Sequence, residues 1–368
     1  MSSFDQASRQ GEPIHQEVDV AQPGSLHLLN TPGLTPGGGP APMPTTVRRQ
    51  HIRGTSLASQ ALSRSLQFTV RPALSVWSRT SRLPWPVALI DKAAGALRPI
   101  DGTTYQPVRL QNCNAEWLQG PGSNTKHVIL YLHGGAFLCC GIRTHRRLVS
   151  RISAVSQSAV LMVDYRMLPA ATVTDSIADG VDAYRWLLDN GYSSEQITVA
   201  GDSAGGYLAF AVPLAIEAAG MPMPAAIVAI SPLTEMDPTH KMQSKNAKRC
   251  SMFPKNAVPQ LTKISERQDQ TAMASRGQAP RVCPVNADLR NMPPTLIQVG
   301  SHEMLLEDSE LIAERLAQAG VPCELQIWDR QPHVFPVFAD VIPEGQRAIA
   351  EIGRFIRTTH GSLLTAVN

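Results

Sequence analysis

The sequence has no uninterrupted apolar stretch near the roughly 18 residues that a membrane-spanning helix needs, so no such helix is expected. Its first 25 residues are polar and acidic, with no apolar run of signal-peptide length. A secretory leader is therefore not expected, and the default compartment is cytoplasmic. Six cysteines are present, Cys113, Cys139, Cys140, Cys250, Cys283 and Cys323, but no C-x-x-C pair. That argues against a zinc ribbon or a dithiol redox motif and leaves reduced thiols that mostly pack. A large charge of one sign is also missing. The net +3 is too small to argue for nucleic acid, and no RNP-like, zinc-finger or helix-turn-helix pattern occurs.

What is present is a globular composition, 43% hydrophobic and 17% charged, which can bury a sizeable core. The 368 residues suit one α/β domain with extensions. Residues 1–45 read as a flexible leader, because the run Pro36-Gly37-Gly38-Gly39-Pro40-Ala41-Pro42 cannot hold a helix or a ladder. Residues 46–100 read as cap helices. Leu57, Leu62, Leu66, Val70, Leu74 and Trp77 recur at helical intervals, with breaks expected near Pro72 and Pro84–Pro86. This segment holds nine basic residues (Arg48, Arg49, Arg53, Arg64, Arg71, Arg79, Arg82, Lys92, Arg98) against Asp91 alone. Two readings fit: a solvated outer face of a lid, or peripheral contact with an anionic membrane or lipid.

Residues 101–368 read as the catalytic domain. Strand candidates Val128–Leu132, Ala159–Val163, Ile197–Ala200, Ala226–Ile230, Thr295–Val299 and Leu325–Trp328 alternate with helical stretches. That alternation marks a mostly parallel central sheet flanked by helices. Ile177, Val181, Tyr184 and Leu188 share one helix face, and Leu311, Leu316 and Ala319 share another that stops at Gly320. Ile349, Ile352 and Ile356 mark the closing helix. The polar block at about 236–290 interrupts the alternation and is a candidate second part of the cap.

Gly201-Asp202-Ser203-Ala204-Gly205 matches the G-x-S-x-G nucleophile elbow. The pattern alone is weak. Its setting between the strand Ile197–Ala200 and a helical stretch beginning at Ala204 supplies the strand–turn–helix that the chemistry requires. Pro213 inside that helix is expected to kink it. His133-Gly134-Gly135-Ala136-Phe137 follows the strand Val128–Leu132, where small residues leave backbone N–H groups free to hold an oxyanion. Gly134, Gly135 and Ala204 are the expected oxyanion-hole donors. Phe137, Leu138 and Cys139 are candidate pocket lining.

A serine hydroxyl needs a base, and the base needs a carboxylate, in chain order Ser, acid, His. Downstream of Ser203 lie His240 in the insertion, His302 before the acid candidates, His360 in the C-terminal tail, and His333, which follows the strand Leu325–Trp328 in a loop at the expected edge and is the expected base. Glu303 lies nearest the end of the strand Thr295–Val299 and is the expected acid. Asp308, which also suits a helix N-cap, stands as the alternative.

With these motifs placed, the chain resembles the hormone-sensitive-lipase-like, bacterial esterase and acetyl-hydrolase branch of the α/β-hydrolase fold. The resemblance covers about residues 100–357 and rests on His133–Ala136, on Gly201–Gly206, on Asp164-Tyr165-Arg166-Met167-Leu168-Pro169 and on Pro293–Gly300. It implies an N-terminal helical cap, a Tyr-containing segment that supports the oxyanion loop, and a serine carboxylesterase or lipase. A Ser203–Glu303–His333 triad would act on a small-molecule or lipid ester with no metal and no other cofactor. Where the commoner family pattern carries its acid in Asp-Pro-Leu, this sequence has Glu303-Met304-Leu305. A non-catalytic small-molecule-binding member of the fold and an acyl-transfer or amide-cleaving enzyme are the alternatives. Acyl-chain length and oligomeric state are not legible at this level.

Overall fold

The computed structural model describes residues 47–366, with side chains through residue 361; the leader expected over 1–45 lies outside the described residues. In chain order the elements are β1 (Arg48–Ile52), α1 (Leu57–Phe68), α2 (Val70–Thr80), α3 (Ala88–Ala93), β2 (Thr104–Arg109), β3 (Asn114–Gln119) and β4 (Asn124–Leu132). Next come α4 (Ile142–Ser156), β5 (Ser158–Asp164), α5 (Val173–Asp189), β6 (Ile197–Asp202), α6 (Ala204–Ala218) and β7 (Ala226–Ile230). Three helices follow, α7 (Thr239–Gln243), α8 (Asn246–Arg249) and α9 (Ala257–Arg276), and then β8 (Thr295–Gly300), α10 (Leu306–Gln318), β9 (Cys323–Trp328) and α11 (Pro343–Ala366).

The strands form one sheet in the order β1-β9-β8-β7-β6-β4-β5-β3-β2. Every neighbouring pair is parallel except β5–β3 and β3–β2. Because side chains alternate along a strand, each central strand feeds two cores. Val128, Leu130 and Leu132 of β4 pack on one face with Tyr184 of α5, Phe210 of α6 and Ile312 of α10. Ile129 and Tyr131 pack on the other with Ile152 of α4 and Ile349, Ile352 and Ile356 of α11.

Several boundaries differ from the sequence reading. Arg48–Ile52 is not part of the cap helices but an edge strand parallel to β9, and its arginines reach Glu324, Glu310 and Glu314. The first cap break falls at Thr69 rather than Pro72, which occupies the first turn of α2, where the missing N–H has no intrahelical partner to lose. The second break does fall across Pro84 and Pro86. Pro213 is buried inside α6 without ending it. Leu311 is exposed, and Ile312, Ala313 and Leu316 form the buried face of α10. Among the described residues no helix is long and apolar enough to cross a membrane.

The block between β7 and β8 folds as α7–α9 and meets the N-terminal helices. Gln260 Nε2 donates to Ser81 Oγ (2.8 Å), and Arg71 donates to the Lys248 carbonyl (3.2 Å). Its anchor to α10 is a buried ion pair, Lys241 Nζ to Asp308 Oδ1 at 2.8 Å. Asp308 also accepts the Thr234 and Glu235 N–H groups. Breaking such a pair leaves a buried charge uncompensated, which costs about 3–5 kcal/mol. Lys241→Met is expected to lower unfolding stability by about that much in urea titration, with partial recovery in Lys241→Met/Asp308→Asn. Equal loss in both variants would show that the pair's charge is not what matters.

Candidate active site

Five strand ends on the carboxyl edge of the sheet converge here, as expected for an open α/β sheet. β6 runs into Ser203, whose φ of 54° and ψ of −115° lie outside the regions most residues adopt. The turn is this sharp because its glycines let backbones meet: a Cβ on Gly205 would lie 1.9 Å from the Leu132 carbonyl oxygen, and one on Gly201 2.2 Å from that of Gly205. Ser203 N–H donates to the Ile230 carbonyl (2.9 Å), and the Ser203 carbonyl accepts from Leu233 (3.0 Å). The nucleophile candidate is thus locked to β7 as well.

His333 lies beyond β9 with Nε2 2.8 Å from Ser203 Oγ and Nδ1 2.5 Å from Glu303 Oε2. Glu303 lies beyond β8, fully buried. It also accepts from the Gly300 N–H (2.5 Å) and from Ser231 Oγ (2.8 Å). An ionised carboxylate accepting at Nδ1 places the imidazole proton there, which frees Nε2 to take the serine proton. Ser231, at the end of β7, is a residue the sequence reading missed; its Oγ also accepts the Val334 N–H (3.1 Å), so one hydroxyl aligns both acid and base loops. Phe253 from the α8–α9 segment stands edge-on to the His333 ring at 4.7 Å.

The other candidates lie elsewhere. Asp308 is taken up by Lys241 and the Thr234 turn, and is neither the acid partner of His333 nor an N-cap but a residue of α10's first turn. His360 hydrogen-bonds Thr198 and stacks on His127. His240 lies in α7, and His302 has no hydrogen bond to the triad.

Gly134 is a correction. Its N–H donates to Asp202 Oδ1 (3.0 Å), so it is not available to an oxyanion. Asp202, the residue before the nucleophile candidate, is buried and receives that N–H, Tyr131 Oη (2.8 Å) and His145 Nε2 (3.2 Å). The free donors are the next two residues. Gly135 and Ala136 N–H groups, like that of Ala204, have no hydrogen-bond partner among the described residues. Gly135 (φ 122°) and Ala136 (φ 56°) both have positive φ, which breaks the extended run of β4. Tyr165 of the Asp164–Pro169 segment donates to the His133 carbonyl (2.6 Å) and stacks on its ring, which holds the loop from below.

Burial works to lower the His145 pKa, but the Asp202 carboxylate outweighs it and raises it to about 9. Burial raises the Asp202 pKa, and the His145 charge overcomes that to leave it lowered. His133, buried beside that cation, is pushed down to about 4.

A cavity of about 200 Å³ opens above Ser203. Its walls are apolar: Ala73, Leu74 and Trp77 from α2, Trp85, Val87 and Ile90 before and in α3, Ala136, Leu138 and Cys139 from the loop after β4, and Ala257, Val258 and Leu261 from α9. Phe137, by contrast, is fully buried against Tyr207.

The family model for the alpha/beta hydrolase fold matches residues 129–337, from the strand before the oxyanion loop to just past His333. The chain belongs to that family. Within it, the hormone-sensitive-lipase-like branch is the one it joins. It is 41% identical to Esterase LipU of Mycobacterium tuberculosis, over 79% of this chain and 99% of that protein. It is 38% identical to Carboxylesterase/phospholipase LipF of the same species over 86% of each. In structure it matches EstE5, a crystal of which was soaked with p-nitrophenyl butyrate, with a TM-score of 0.73 and 32% identity over 83% of this chain and 100% of that one. An esterase of the bacterial hormone-sensitive lipase family gives a TM-score of 0.72 at 32% identity over 84% and 100%.

The His145–Asp202 pair carries a pH signature. A folded pKa of about 9 against an ordinary 6.5 gives stability that is fully present below pH 6.5 and is lost as pH rises through 9. The loss is on the order of 3 kcal/mol. In urea titrations the wild type is expected to weaken between pH 6.5 and 9.5. His145→Gln should start less stable and stay flatter; an unchanged slope would show that this pair does not titrate there.

Proposed function

We propose that this carboxylic ester hydrolase works by double displacement at Ser203. His333 takes the hydroxyl proton as Oγ attacks the ester carbonyl, and Glu303 stabilises the imidazolium that forms. The tetrahedral oxygen is held by the N–H groups of Gly135, Ala136 and Ala204. Imidazolium then gives its proton to the leaving alcohol, and an acyl-Ser203 ester remains. Water, activated by the same His333, releases the acid and restores the serine. The observation that carries this reading is the unbroken chain Glu303–His333–Ser203, at 2.5 and 2.8 Å, ending at a hydroxyl that faces an apolar cavity. A ligand-binding module has no use for a base aligned on a serine in this way.

The cavity sets the acyl group. A dry cavity of about 150 Å³ holds a six-carbon benzene ring. By that scale the 200 Å³ here accommodates an acyl chain of about six to eight carbons. Substrates are therefore esters of short to medium acyl chains, from small-molecule or lipid alcohols.

Ser203→Ala is expected to lower kcat for p-nitrophenyl butyrate by at least about 10⁴-fold, and Glu303→Gln by roughly 10⁴-fold through loss of the correct His333 tautomer. Full activity in Ser203→Ala would overturn the reading, and comparison with a p-nitroanilide amide separates ester from amide cleavage. Across acyl lengths, kcat/KM should rise to an optimum at about six to eight carbons and fall beyond it. Leu261→Trp should move the optimum to shorter chains with little loss on acetyl ester; an unshifted profile would place the acyl chain elsewhere.

A further inference from the structure

The two segments that roof the cavity are chemically one-sided. Residues 57–98 and 239–263 carry twelve Lys and Arg against one acid, Asp91, in a chain that holds 33 against 30, so the remainder holds 21 against 29. Asp91 is itself turned inward, accepting from Thr144 N–H and Oγ1. Of the twelve cations only Lys241 forms an ion pair among the described residues. The segments adjoin through the Arg71–Lys248 and Gln260–Ser81 contacts, and of their twelve cations Lys241 alone is buried.

Inside this basic surround lies the run Leu83-Pro84-Trp85-Pro86-Val87-Ala88-Leu89-Ile90, eight residues without a polar side chain. It faces two ways. Trp85 and Val87 line the cavity, and Trp85 is fixed by its indole N–H donating to the Thr80 carbonyl (3.1 Å). Leu83 and Leu89 are 62% and 56% exposed, and Pro84, Pro86 and Ala88 are exposed with them. Ile90 does both, lining the cavity while 47% exposed. Seven of the twelve large exposed apolar side chains of the described residues fall between Leu57 and Leu97.

A solvated lid face would show neither an outward apolar run nor so many cations without counter-charges. An apolar patch rimmed by Lys and Arg is the composition that partitions to a lipid–water interface, where apolar side chains enter the acyl boundary and cations meet headgroup phosphates. We propose that the Leu83–Ile90 segment and the surrounding cations of α1–α3 and α7–α9 dock this protein on an anionic lipid surface, with the mouth of the cavity turned toward the lipid. The orientation follows from Ile90, which belongs to both the exposed run and the cavity wall. The docking surface rests on the exposed residues; its purpose, delivery of lipid esters, rests on the reading of the cavity as the acyl site.

The test is flotation of the full chain with vesicles of phosphatidylcholine alone and vesicles with about one third phosphatidylglycerol. Binding is expected only to the anionic vesicles and should weaken with salt. Arg64→Gln/Arg79→Gln/Arg82→Gln and, separately, Leu83→Ser/Leu89→Ser should each reduce the bound fraction by roughly 10- to 100-fold. Hydrolysis of soluble p-nitrophenyl butyrate should be unchanged in both, which reports the acyl site independently of docking. No anionic preference, or wild-type binding in both variants, would overturn the proposal. So would a solution dimer that shields Leu83 and Leu89, or binding to heparin without binding to vesicles.

Discussion

The approach of the elbow to the end of β4 is the constraint from which the site follows. With Gly205 set against the carbonyls of Leu132 and His133, the first turn of α6 comes close to the loop after β4. Ala204, at the head of α6, and Ala136, whose loop is pinned by Tyr165, then line the same cavity. Any Cβ at these contacts would meet backbone atoms, which cannot rotate away. The glycines therefore matter for the distance between two backbones, and Ser203 bears the conformational strain that results.

Three buried carboxylates hold the arrangement, and each is met by a different set of hydrogen-bonding or charged partners. Glu303 has His333, Ser231 and the Gly300 N–H; Asp202 has His145, Tyr131 and the Gly134 N–H; Asp308 has Lys241 and two backbone N–H groups. An isolated charge at such positions would be prohibitive, so each carboxylate orders the groups that surround it. Only Glu303 does so at the reacting serine. Asp202 acts one step back, by taking the Gly134 N–H and so leaving Gly135 and Ala136 as the donors that remain.

The hydrogen-bonded chain Ser203–His333–Glu303, proposed here as the triad, was legible because each member follows a strand whose apolar run is strong, so position along the chain implied position at the carboxyl edge. The parallel core was legible for the same reason. What failed were features set by partners distant in sequence. β1, β2 and β3 lie at or near the sheet edges, where exposed faces admit Arg48, Gln50, Thr104 and Pro107 and erase the apolar alternation. The choice of Gly134 failed because glycine at that position serves contact with Asp202, 68 residues away. A carboxylate inside the elbow motif itself was the available signal, since a buried acid must draw nearby N–H groups.

The cap shows why one segment can serve two solvents. An apolar cavity over the buried Glu303–His333–Ser203 chain keeps water from it and strengthens its hydrogen bonds. The same apolar character must end somewhere at the protein surface. Here the run from Leu83 to Ile90 continues the cavity's chemistry outward, held in an open turn by Pro84 and Pro86, and the groups around it are nearly all cations. Uncompensated positive charge at the roof of a chain otherwise rich in acids creates a field directed at that mouth, so anionic lipid would be attracted to the face where the acyl chain must enter.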